Sequence, residues 1–149
     1  KYNLPLLFLL LIYIQIVIGA FVSGMDAGKI YNSWPLMGNN YFPDDNAIDD
    51  LFKLTAFDSP SLVQFIHRNL AYVILLFFLI ILFDVYKNKL TNFYLPVNLV
   101  GFLLFLQIFL GIITLLYGAQ ILVSSMHQIS SIFLVSSCVY LLYINKKFN

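Results

Sequence analysis

Four long apolar runs, at about residues 4–25, 60–83, 94–117 and 120–144, fix what this 149-residue chain can fold into. Each is long enough to cross a bilayer, which takes about 20 apolar residues in a helix. In lipid, every backbone polar group must be paired internally, and a helix does this within one segment. Water is excluded as the solvent for most of the chain: only 10% of its residues are charged, against about 25% in soluble domains. The first run is too long for a signal-peptide core of roughly 7–15 residues, so it reads as a retained span. The expected fold is an all-α membrane protein, with residues 1–149 as a single membrane domain.

The connections set the topology. Ser59-Pro60 reads as an N-cap followed by proline at the first helical position, and Pro96 reads as opening the third helix in the same way. Spans two and three are joined by residues 84–93, and spans three and four by Tyr117-Gly118-Ala119-Gln120. Short connections place successive helices antiparallel, so the spacing predicts an up-down-up-down four-helix bundle. Lys1, Lys87, Lys89, Lys146 and Lys147 fall at one end. By the positive-inside rule that end is cytoplasmic, or faces the matrix, and it carries both termini. The 26–59 loop, rich in Asp, is then external. Within it, Asn46 is expected to cap a short amphipathic helix with Ile48, Leu51, Phe52 and Thr55 on one face, lying on the membrane or capping the bundle. Tyr31, Trp34 and Pro35 read as an interfacial anchor.

Composition narrows the chemistry. A net charge of +1 gives no electrostatic footprint for nucleic acid. The single cysteine, Cys138, supports neither a disulfide framework nor a thiolate cluster. The chain has no Glu. What stands out is its two histidines, His67 and His127, each inside an apolar run, where an ionisable side chain is costly and points to function.

An internal repeat relates them. Gln15-Ile-Val-Ile-Gly19 in span one matches Gln107-Ile-Phe-Leu-Gly111 in span three, and His67-Arg68 in span two is mirrored by His127-Gln128 in span four. The chain therefore reads as two hairpins, each with a Gln-x-x-x-Gly outgoing helix and a His-bearing returning helix. Gly19 and Gly111 lie seven residues before Asp26 and Gly118, and His67 and His127 lie seven after Pro60 and Gln120. All four therefore share one layer, about 10 Å below the external end at 1.5 Å per residue. Spans two and four are diagonal, roughly 14 Å apart when neighbours are 8–10 Å apart. That is too far for both rings to reach a zinc ion, which needs ligands within about 2 Å. It suits a planar macrocycle with axial histidines, and Gly19 and Gly111 on the other diagonal would let its edges approach the backbone. Close helix packing is the other reading of those glycines. Gln15 and Gln107 read as hydrogen-bonding across helices. Arg68, the only arginine, has two open readings: pairing with a haem propionate, or snorkelling to phosphate or Asp26.

Several stretches resemble the haem A synthase family of mitochondria and related bacteria. They are the run from Gly19 through Gly24, Asp26, Gly28, Tyr31, Trp34 and Pro35 to Gly38, then Val63-Gln64-Phe65-Ile66-His67-Arg68, Leu106-Gln107 to Gly111 and Thr114, and His127-Gln128. The resemblance covers nearly the whole chain and corresponds to the C-terminal four-helix half of an eight-helix oxidoreductase. That family oxidises a ring methyl of haem O to the formyl group of haem A, for cytochrome oxidase. The resemblance implies that His67 and His127 are iron ligands of a bis-His haem b, while substrate chemistry and a catalytic Glu belong to a half absent here. It implies as partners membrane lipid, haem, a second four-helix half or homo-oligomer, haem O synthase and cytochrome oxidase assembly factors. It implies a location in the bacterial plasma membrane or the mitochondrial inner membrane. The turn at Tyr117-Gly118-Ala119-Gln120 departs from the family's Val-Pro-like turn. A self-standing b-type electron carrier and a haem-free scaffold are the competing functions.

Overall fold

The computed structural model describes residues 3–148; Lys1, counted above among the lysines of one end, lies outside them. Four long helices dominate: α1 (Leu4–Gly24), α2 (Pro60–Lys87), α3 (Tyr94–Leu116) and α4 (Ile121–Phe148). All four are long and apolar enough to cross a membrane, and the molecule is a helical membrane bundle. Proline sits in the first turn of α1 and α2, where its missing N–H costs no helical bond. Ser59 occupies the N-cap of α2, as the sequence suggests, without a side-chain capping bond. α3 starts two residues before Pro96, on a short 3-10 turn at Thr91–Phe93. The α3–α4 turn closes with Gly118 and Ala119 both at positive φ, and Ala119 N–H donates to Thr114 O at 2.8 Å.

The closest packing is within hairpins, α3 on α4 and α1 on α2; α1 against α4 and α2 against α3 join the hairpins less intimately. This is the neighbour order of an up-down-up-down bundle, with α1/α3 and α2/α4 as diagonals.

The core is lopsided. Its cluster of buried side chains includes Phe8 and Ile12, Ile74, Phe78 and Ile81, Val97, Val100 and Leu104, and Leu134, Cys138 and Leu141. These residues lie in the half of each helix that ends in the lysines. The Phe78 ring presses on the α3 backbone there at Gly101, where an added Cβ would sit 2.8 Å from Phe78 Cζ. Phe78 is 1% exposed and has nowhere to retreat. Gly101→Ala is therefore expected to destabilise the bundle by about 1–3 kcal/mol through overpacking, read as a lowered thermal midpoint in detergent.

The 26–59 loop departs from expectation. In place of one amphipathic helix it forms 3-10 turns at Ile48–Phe52 and Leu54–Asp58, broken at Lys53 in extended conformation. Asn46 does not cap them; its amide donates to Asp45 Oδ1 and Ser61 Oγ. Asp50 takes the capping role, accepting from Ala47 N–H at 3.0 Å and from Lys53 Nζ at 2.7 Å. The Lys53 bond, then the Ala47 N–H, holds its carboxyl below the usual range. Phe52 (86% exposed) and Leu54 (93%) face outwards, whereas Ala56 is buried and Phe57 packs on Phe21 of α1. The loop does bridge the hairpins: Asn32 Nδ2 donates to Gly28 O at 2.8 Å and to Leu115 O, near the end of α3, at 2.9 Å.

Tyr31 donates its phenol proton to Asp44, with Asp45 also in reach. That hydrogen bond, then burial and the two carboxylate charges, pushes its pKa up to about 12 from 10.0. The folded loop favours the neutral phenol, so this contribution is fully present below pH 10.0 and is lost as pH rises through about 12. A difference titration of tyrosinate absorbance against Tyr31→Phe is expected to show one phenol ionising near pH 12.

Candidate functional site

The two hairpins build the same local arrangement. Four-residue spacing puts Gln15 and Gly19 on one face of α1, towards α2. Gln15 Nε2 donates to the backbone carbonyl of His67 at 3.0 Å and lies 3.4 Å from His67 Nε2. One turn on, a Cβ at Gly19 would meet His67 Cε1 at 3.1 Å. In the second hairpin, Gln107 Nε2 donates to the His127 carbonyl at 2.9 Å. A Cβ at Gly111 would meet His127 Cε1 at 3.0 Å. In each hairpin the glutamine locks the register of the returning helix, and the glycine leaves the space the imidazole occupies. Gln15 and Gln107 thus bond across helices, as read from the sequence.

Each glycine thus faces the Cε1 edge of the histidine in its own hairpin.

Both imidazoles are half-buried. In both, Nδ1 is buried with no hydrogen-bond partner among the described residues. Imidazole nitrogens are good donors to iron and zinc alike. Among the described residues no group of three or more His, Cys, Asp or Glu forms, so the pair has no third ligand of that kind.

Arg68 does not pair with Asp26; its guanidinium turns to the loop. Its Nη1 donates to Ser33 O at 2.9 Å and to Leu36 O at 3.2 Å, and Nη2 donates to Tyr31 O at 2.9 Å. Asp26 instead pairs with Lys29 at 2.7 Å. Around Arg68, Gln64 donates to Tyr31 O, Trp34 Nε1 to Tyr72 and Tyr41 to Asn69. One stripe of α2 beside His67 thus holds residues 31–41 of the loop over the site. Trp34 is an anchor to the protein through Tyr72, a contact sequence alone does not reveal.

Ser130 was missed. It donates to Gln107 Oε1 and to His127 O, completing the second cradle. The matching position in the first hairpin, three after its histidine, is Leu70, and Gln15 Oε1 is left buried and unpartnered. The signal was available: a serine one turn from His127 on a helix facing a glutamine.

The fold and this site define a multi-pass helical membrane protein whose two hairpins each seat one imidazole against a Gln–Gly pair. The chain belongs to the cytochrome oxidase assembly protein family, whose model matches residues 3–139. It is 50% identical over 144 residues to a protein named heme A synthase from Pelagibacter ubique, covering 96% of this chain and 42% of that protein. A heme A synthase from Rickettsia felis is 39% identical over 154 residues, covering 97% of this chain and 44% of its own length. One from Rickettsia bellii is 41% identical over 147 residues, covering 93% and 42%. The chain therefore spans less than half the length of these relatives. No solved structure matches it.

Proposed function

We propose that this chain is the cofactor-holding half of a haem A synthase, an oxidoreductase that converts a methyl group of haem O to the formyl group of haem A. His67 and His127 are the residues that would hold one haem b. The observation that carries this reading is the repeated cradle, with the same Gln-to-carbonyl bond and the same glycine against Cε1 in both hairpins. The fit rests on the donor set: two imidazoles in one layer, each with a buried nitrogen lacking a protein partner. Held by two histidines, such a haem would supply electron transfer.

The residues of the chain do the positioning. Gln15 and Gln107 hold the backbone beneath each ligand; Gly19 and Gly111 fix where each ring stands. Arg68 and Gln64 hold the loop over the site and limit water entry. The external placement of that loop, with the lysine end in the cytoplasm or matrix, follows from Lys87, Lys89, Lys146 and Lys147. The substrate haem and its catalytic carboxylate belong to the remainder of the longer relatives or to a partner of the same kind. Membrane lipid, haem O synthase and cytochrome oxidase assembly factors complete the set of partners.

Deleting the gene is expected to remove haem A from extracted membranes and leave haem O. Unchanged haem A after deletion would reject the synthase assignment and favour a self-standing b-type electron carrier, which the same two ligands would serve.

A further inference from the structure

Buried polar atoms without partners are not spread through this bundle. Among the described residues they belong to Gln15, Gln64, His67, Arg68, Thr114, Ser124 and His127. All seven lie in the half of the bundle that carries the loop, around the histidines. Two of them, Thr114 Oγ1 and Ser124 Oγ, belong neither to the cradles nor to the stripe of α2 that holds the loop.

A hydroxyl inside an apolar helix ordinarily satisfies itself by donating to a carbonyl three or four residues back. Four serines of α4 do so: Ser130 to His127 O at 2.9 Å, Ser131 to Gln128 O at 2.6 Å, Ser136 to Ile132 O at 2.8 Å and Ser137 to Leu134 O at 2.7 Å. Thr114 and Ser124 are buried and do not. The same local remedy was open to them, so their unpaired state marks them as donors held in reserve for something else.

Their positions say what. Thr114 is three residues after Gly111, and Ser124 is three before His127. Each therefore sits on its cradle's own face, one turn towards the loop end, or about 4.5 Å along the axis. They flank the α3–α4 turn from either side, close to the water boundary.

We propose that Thr114 and Ser124 donate hydrogen bonds to the carboxylate groups on the rim of the tetrapyrrole held by His67 and His127; this rests on the bis-His reading above. Carboxylates at the edge of an otherwise apolar ring turn towards the nearer water boundary, which is the loop end. A hydroxyl bonded to a carboxylate makes a charge-assisted bond, stronger than one to water or to a carbonyl. On the other hairpin, Arg68 Nη1 and Nη2 are taken by the loop carbonyls, which leaves only its Nε without a partner.

The test compares the full chain with a Thr114→Val, Ser124→Ala double variant in nanodiscs. Each is loaded with haem or with haem dimethyl ester, whose carboxylates are masked, and loss to a haem-scavenging protein is timed. The wild-type chain is expected to lose the ester roughly tenfold faster than haem, the scale of one hydrogen bond to a charged group. The variant is expected to lose haem and ester at the same fast rate, with its low-spin spectrum unchanged. Its haem-free form should melt at the same temperature as wild type or higher, because an unpaired buried hydroxyl has been replaced by a methyl. Equal retention of haem by variant and wild type would overturn the proposal. So would a lower melting temperature of the haem-free variant, which marks a purely structural role. A wild-type chain with no low-spin haem spectrum would overturn the bis-His reading itself, and this proposal with it.

Discussion

Alanine at His67 or at His127 is expected to abolish the low-spin b-type absorption of the purified chain. The loss should be complete in either single variant, because the proposed haem would need both rings to stay low-spin. It should also occur without loss of helix content. Neither ring donates a hydrogen bond to the protein, and the glutamines bind the histidine carbonyls, which survive the substitution. Absorption spectra of oxidised and reduced protein, with circular dichroism alongside, separate ligand loss from unfolding. An unchanged low-spin spectrum in both variants would remove these residues from the site.

Valine at Gly19 or Gly111 is expected to weaken haem binding by about 10- to 100-fold, the range for groups that orient a metal ligand. The first added carbon would already lie 3.1 Å from His67 Cε1 or 3.0 Å from His127 Cε1. Two further methyls force the ring out of its place. Gly24 supplies the control, since a Cβ there meets nothing within 4 Å, and Gly24→Ala should titrate with haem like wild type. Equal affinities for Gly111→Val and Gly24→Ala would mean that the glycine cradle does not position the ligand.

The bundle was legible because its signals are long and redundant. Four runs of helical length fix four spans to within a few residues, and the turn lengths fix their order. The repeat was legible too, since Gln-x-x-x-Gly followed by an inward-placed His needs no tertiary information. What lay beyond sequence were choices between partners of similar chemistry. Arg68 had a phosphate, a carboxylate and a loop of carbonyls within its reach, and which it takes depends on how residues 31–36 fold back over α2. The glycines look the same in sequence whether they face a ligand or a ring. The 46–58 segment carries a helical pattern, yet Asp50 caps it from within and Lys53 interrupts it, so its apolar residues do not gather on one face. Thr114 stands in a family-like stretch, yet nothing in sequence marks its hydroxyl or that of Ser124, because an unpaired hydroxyl is defined by the neighbours it lacks.

The lopsided core has a consequence for how the molecule is assembled. With its interlocked side chains gathered at the lysine end, the bundle resembles a clothes-peg whose base closes on itself and whose hairpins touch less intimately than their own helices do. Local opening is cheapest where few buried apolar contacts oppose it. On the haem-holding proposal, the base would persist while the histidine level opens, so a flat guest would enter a chain that is already folded. Amide exchange in the empty protein should then run fast at the histidine level and slow around Phe78. Loading should slow the first and leave the second as it was.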